Sequence, residues 1–157
     1  MPDSFHLDAL PGGYDPAATA EDGHWFDEDE AIRAIDFFPK FLRHGKGSFN
    51  GKPFELENWQ KSIIGNLFGW KRRDGSRRNR TSYMEIPRKN GKSHLAAGLA
   101  LYLLTADGEA GAEVYGAASD RDQAGIVFQV AKGFVQTDDI LDKRCTLYRN
   151  SIMVDST

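Results

Sequence analysis

The residues best suited to chemistry in this 157-residue chain fall in one run, Ile86-Pro87-Arg88-Lys89-Asn90-Gly91-Lys92-Ser93. Gly91-Lys92-Ser93 has the residue types of a phosphate-binding turn. Backbone N–H groups of such a turn point into one concavity, and the following helix N-terminus adds partial positive charge there. Lys92 would reach the β- and γ-phosphates of a nucleotide, and the Ser93 hydroxyl would hold Mg²⁺. The usual pattern starts with a glycine five residues before the Gly of Gly-Lys-Ser, and Ile86 stands there. A bare Gly-Lys-Ser fits a helix start with a solvated lysine equally well. Context favours the phosphate reading, because Tyr83-Met84-Glu85-Ile86 reads as a strand and Ser93–Thr105 as an Ala- and Leu-rich helix.

Two other groups could serve such a loop. Trp59 and Gln60 open an apolar helix upstream of it. Each alone reads as a core aromatic and an exposed helical amide. A Gln amide also carries the donor and acceptor that match the N6 and N7 edge of adenine. Between residues 71 and 80 lie six basic residues, Lys71, Arg72, Arg73, Arg77, Arg78 and Arg80, against the single acid Asp74. Such a cluster suits phosphate-backbone contact with nucleic acid, since bound Lys and Arg release counterions. It suits a solvated loop as well, and only Trp70 and Tyr83 interleave aromatics for stacking on bases. Both readings stand at this point.

The elements that must position these residues follow from pattern. A chain this long is about one domain, able to bury ~68–70% of its unfolded surface. Residues 1–24 hold several Pro and Gly and few large apolar residues, and read as an irregular acidic arm, more a solvated tail than an interaction segment. The first thirty residues carry nine acids and no Lys or Arg. Asp27–His44 reads as a helix capped by Asp27, with Glu30 completing a capping box and Pro39 kinking or breaking it near Phe38. Gly45–Pro53 is a loop, and Asn58–Phe68 a helix. Gly69–Arg80 is a loop or hairpin feeding the Tyr83 strand. Beyond the Ser93 helix come a Gly-rich turn at 107–111, a buried strand at Ala112–Ala118, and a helix from Arg121 to about Val135 capped by Ser119 or Asp120. An acidic turn spans 136–142. A hairpin follows, with strands Arg144–Tyr148 and Ser151–Asp155. No apolar run approaches the ~20 residues of a membrane span. Cys145 is the only cysteine, which excludes an internal disulfide and a cysteine-based metal site.

The order strand, loop, helix, strand, helix, strand predicts an α/β fold with a parallel sheet and right-handed crossovers. With these pieces in place, the segment Pro53–Ser156 resembles the ATPase domain of the large terminase subunit of tailed bacteriophages. That family packages DNA into preformed capsids. Pro53-Phe54-Glu55-Leu56 with Trp59-Gln60 looks like its adenine-binding segment. Ile86–Ser93 looks like its Walker A loop, with an arginine at the position of Arg88. Phe68-Gly69-Trp70 and Val114–Gln123, which includes Ala117-Ala118-Ser119-Asp120, also fit.

The resemblance implies a RecA/ASCE-like P-loop NTPase using ATP and Mg²⁺. Trp59, Gln60, Arg88, Lys89, Asn90, Gly91, Lys92 and Ser93 would bind nucleotide, and Ser93 the metal. Arg88 and Lys92 would be catalytic, stabilising charge on the transferring phosphoryl group. The implied partners are double-stranded DNA, the portal protein, the small terminase subunit and further copies of the chain, in host cytoplasm and transiently at the procapsid portal.

The chain departs from the family pattern downstream. No apolar strand ending in paired acids follows Ser93; Asp120 and Asp122 sit where helix capping explains them, and Asp138-Asp139 follows Thr137. Residues 25–157 are therefore expected to be the N-terminal part of an incomplete ATPase domain, without Walker B acids or a nuclease domain. Such a piece is expected to bind nucleotide weakly, to hydrolyse it poorly, and to self-associate through an open sheet edge. The alternatives are another P-loop ATPase such as a helicase-like translocase, or a non-catalytic nucleic-acid-binding remnant using residues 71–80.

Overall fold

The computed structural model describes residue 10, residues 13–45 and residues 47–154. The first nine residues, 11 and 12, Lys46 of the expected loop, and 155–157, including the far end of the expected last strand, lie outside the described residues. The chain divides into two compact units, one formed by residues up to Phe37 with Glu55–Met84, the other by Phe38–Phe54 with the residues from Glu85 onward.

In the first unit, strand β1 (Trp25–Phe26) pairs antiparallel with strand β2 (Trp70–Lys71), Trp25 opposite Lys71 and Phe26 opposite Trp70. An isolated bridge between Lys71 and Arg77 extends this into a tight hairpin through Asp74, Gly75 and Ser76. Gly75 takes φ 79°, which suits its lack of a Cβ. Helix α1 (Glu28–Phe41) starts at Asp27, whose Oδ1 accepts from the Glu30 amide at 3.1 Å. Only half of the expected capping box forms. Glu30 turns to Arg33 and Lys71, while the Asp27 amide donates to the Gly69 carbonyl. Helix α2 (Asn58–Gly69) buries Ile64 and Phe68, and Phe26 packs edge-on against Trp70.

Pro39 lies within α1 and does not end it. It stands in the last turn, where few ladder bonds remain to be lost. The Arg43 guanidinium donates to the carbonyls of Pro39, Lys40 and Leu42, which satisfies acceptors that a helix C-terminus leaves open.

The second unit is built on helix α3 (Lys92–Thr105) packed against helix α4 (Arg121–Thr137). Leu95, Ala97, Leu101, Phe134 and Val135 are buried there with Phe38 and Leu42 from the last turns of the α1 segment. Gly98 is the contact point. A Cβ built on it would lie 2.8 Å from Leu42 Cδ1 and still closer to the Phe38 ring, so only glycine allows α3 to approach this closely. Asp120 caps α4 by accepting from the Gln123 amide at 2.8 Å. Asp138 caps a short helix α5 (Asp139–Arg144), where an acidic turn was expected. Strands β3 (Cys145–Leu147) and β4 (Ile152–Val154) form the expected hairpin, Cys145 opposite Val154.

The expected parallel sheet is not present among the described residues; both strand pairs are antiparallel. Tyr83–Ile86 and Ala112–Ala118, read as strands, join no ladder, and the second is not buried: Tyr83 is 88% and Tyr115 83% exposed. A strand needs a neighbour to take its backbone hydrogen bonds. Neither segment has one among the described residues, whatever its own β-propensity. No helix among the described residues is long and apolar enough to cross a membrane.

Candidate functional site

The run 86–93 folds as a tight turn at Arg88 and Lys89 leading directly into α3. Lys89 and Gly91 both have left-handed backbones, at φ 71° and 69°. Lys89 is the one non-glycine residue with positive φ among the described residues. A lysine held there stores strain, and such strain concentrates at ligand-binding turns. Gly91 is the N-cap of α3 and has no side chain to cap it. Its carbonyl accepts the first helical bond, from Leu95 at 3.0 Å. The amides of Lys92, Ser93 and His94 are therefore first-turn donors with no intrahelical acceptor.

Charge in the turn is uncompensated. Arg88, Lys89 and Lys92 are exposed, and none is paired with a carboxylate among the described residues. Asn90 makes only a 3.5 Å contact from its Nδ2 to the Pro87 carbonyl.

An aromatic cluster anchors the start of α3. The His94 ring lies 6.0 Å from Phe134, 6.3 Å from Phe54 and 6.3 Å from His44 between centroids. Phe54 stacks on Phe134 at 5.9 Å and meets His44 edge-on at 5.1 Å. Leu95, 1% exposed, follows directly. The turn thus springs from a fixed base. Desolvation in this cluster, with the nearby His44 adding to it, holds the His94 pKa below its ordinary 6.5 although part of the ring stays exposed.

Trp59 and Gln60 lie on the first turn of α2 in the first unit. Gln60 is 4% exposed, and its Oε1 accepts from the Glu57 amide at 2.8 Å. It works locally as the returning half of a capping box, a role that the Glu57-x-x-Gln60 spacing itself signals. Trp59 is half-buried.

The six basic residues of the hairpin are not equivalent. Lys71 is buried and reaches Glu30 at 3.3 Å. Arg77 covers the Phe68 ring at 5.5 Å. Arg78 stacks over Trp70 at 5.2 Å. It also donates to the Pro16 carbonyl, the Thr19 carbonyl and the Thr19 hydroxyl, at 2.7, 2.7 and 2.8 Å. The described part of the acidic arm is therefore docked, with Pro16 fully buried, rather than a free tail. Arg72, Arg73 and Arg80 remain at the surface. Asp74 closes the turn by accepting from the Ser76 hydroxyl and amide, and these bonds hold its carboxyl below the usual range.

A family profile described as "Terminase large subunit, ATPase domain" matches residues 58–156, well over half of the chain. The chain belongs to that family. It is 30% identical over 112 residues to the terminase large subunit of Enterobacteria phage HK97, a match spanning 71% of this chain and 21% of that protein. The crystal structure of the HK97 bacteriophage large terminase aligns with a TM-score of 0.63 at 25% identity, covering 79% of this chain and 25% of the other. The matched region thus amounts to about a quarter or less of these terminases. The family assignment embraces the turn at 86–93, α2, α3 and α4 in one stretch.

Proposed function

We propose that residues 86–93 are the phosphate-binding loop of a terminase ATPase, and that this chain carries the nucleotide-binding part of a DNA-packaging motor. One observation carries the reading. The left-handed residues Lys89 and Gly91 sit at the head of α3, where first-turn amides and the charges of Arg88, Lys89 and Lys92 have no anionic partner among the described residues. This donor set fits a polyphosphate: backbone N–H groups and a helix N-terminus supply directed donors, and the cations supply charge.

In this reading Lys92 and the loop amides hold phosphates, and Ser93 supplies the hydroxyl for Mg²⁺. Arg88 lends charge near the γ-phosphate. Trp59 and Gln60 contribute to the adenine side, with Gln60 keeping its amide N–H donors while its oxygen caps α2. Mg-ATP, when bound, supplies the phosphoanhydride whose cleavage drives the motor. Double-stranded DNA, the portal, the small terminase subunit and other copies of the chain are the corresponding partners, met in host cytoplasm at the procapsid portal. Arg72, Arg73 and Arg80 are the hairpin residues best placed to meet DNA phosphates.

Amide hydrogen exchange with and without Mg-ATP tests the loop assignment. Slowed exchange at residues 88–94 is expected. Unchanged exchange there at saturating nucleotide would contradict it.

A further inference from the structure

Segment 13–24 and the basic hairpin enclose an open cleft of about 450 Å³, lined by Glu21, Asp22 and His24 on one side and Arg72, Arg73 and Arg78 on the other. The two sides are joined in two different ways. Arg78 is a firm anchor, with directed bonds to Pro16 and Thr19 and its plane on Trp70. Those acceptors are neutral, and no carboxylate pairs with Arg78 among the described residues. The Trp25 indole adds a bond to the Arg72 carbonyl at 3.1 Å. By contrast, the one acid that meets the hairpin among the described residues, Asp22, does so loosely, and Glu21 lines the cleft beside it. Asp22 reaches Arg73 at 3.4 Å with its side chain fully exposed and that of Arg73 79% exposed. An exposed pair of this kind contributes little to stability and is readily exchanged for another anion.

We propose that segment 13–24 is an acidic strap whose Asp22 and Glu21 carboxylates occupy the place of nucleic-acid backbone phosphates at Arg72 and Arg73. Backbone phosphates must displace them to bind. This rests on the reading of the hairpin as a DNA contact and adds a restraint to it. Anchoring through Arg78 keeps the acids at high local concentration, while the weak Asp22–Arg73 contact keeps them displaceable. The strap thereby sets how many phosphates the hairpin engages, and makes affinity lower and less salt-dependent than the arginine count implies.

The test is binding of a short random-sequence DNA duplex to the full chain between about 50 and 200 mM salt. The variants are E21Q/D22N, R72A/R73A and the four-site combination. Neither acid side chain takes part in the Arg78 anchor, so E21Q/D22N keeps the fold. E21Q/D22N is expected to bind roughly 2- to 10-fold tighter at the lower salt. Its log–log salt slope should steepen by about 0.9 for each additional phosphate engaged. The gain should vanish when R72A/R73A is added. A full gain persisting on the R72A/R73A background would overturn the strap, because the effect would then be one of net charge. Unchanged binding by E21Q/D22N with binding lost in R72A/R73A would overturn the strap and leave the hairpin contact standing. No binding by either the native chain or E21Q/D22N would overturn both.

Discussion

Lys89 and Gly91 both turn left-handed, at φ 71° and 69°, with only Asn90 between them. For Gly91 this conformation is free of steric cost, whereas for Lys89 it costs roughly 1–2 kcal/mol. Lys89→Gly is therefore expected to relieve local strain. Part of that gain is offset by the greater freedom of glycine in the unfolded chain. Gly91→Ala should destabilise by about 1 kcal/mol or more and misdirect the first-turn amides of α3. Urea denaturation of the two variants checks the opposite signs. A loss of stability in both would show that the Lys89 side chain contributes more than its backbone costs.

Gly98 predicts a packing effect opposite to helix propensity. Alanine in mid-helix is normally favoured over glycine by about 1 kcal/mol. Here the added methyl meets Phe38 and Leu42 at the closest approach of α3. Gly98→Ala should be net destabilising by about 1–2 kcal/mol, and Gly98→Val by more. Thermal unfolding of the pair decides; a higher melting temperature for Gly98→Ala would mean that α3 shifts to accommodate it.

Arg78 spans three acceptors and an aromatic face, which a lysine cannot do. Arg78→Lys should therefore resemble Arg78→Ala, each costing about 1–3 kcal/mol. Both should expose residues 13–24 to proteolysis. Limited digestion followed by mass spectrometry reads this directly. Protection retained in Arg78→Lys would indicate that charge alone docks the arm.

The depressed His94 pKa gives a pH prediction with a defined sign. The unfolded chain protonates near 6.5, the folded chain only at lower pH. Between those values the unfolded state binds more protons, so the stability associated with a neutral His94 is full above about 6.5 and lost as pH falls through the folded value. Carboxylates titrate at lower pH, so the comparison is made against His94→Gln. That variant should lose less stability than the native chain between about pH 7 and 5.5. An identical loss in both would place the titrating group elsewhere.

What was legible in the sequence is what short-range rules control. Helices α2, α3 and α4 fall where caps and apolar spacing put them, and the β3–β4 hairpin where the Arg149-Asn150 turn puts it. The turn at 86–93 was legible because Gly91 at a helix start has a direct backbone meaning. What escaped depends on distant partners. Tyr83–Ile86 and Ala112–Ala118 have strand composition, but a strand is completed by neighbours that one segment cannot specify. Arg78 was read as one of six similar cations. Its role depends on Pro16 and Thr19, some sixty residues earlier. The Gln60 bond to Glu57 is of the short-range kind, set by the Glu57-x-x-Gln60 spacing, and stands beside the adenine reading of the same side chain.

Residues 86–93 are proposed to form a working phosphate loop. Calorimetric titration of Mg-ATP into the native chain and into Lys92→Ala tests it most directly. Lys92 is exposed at the first residue of α3, so its truncation leaves the fold intact. Saturable binding by the native chain is expected, with a loss of at least tenfold in affinity in Lys92→Ala, about 1.4 kcal/mol. Equal affinity in the two proteins, or no binding by the native chain, would contradict it.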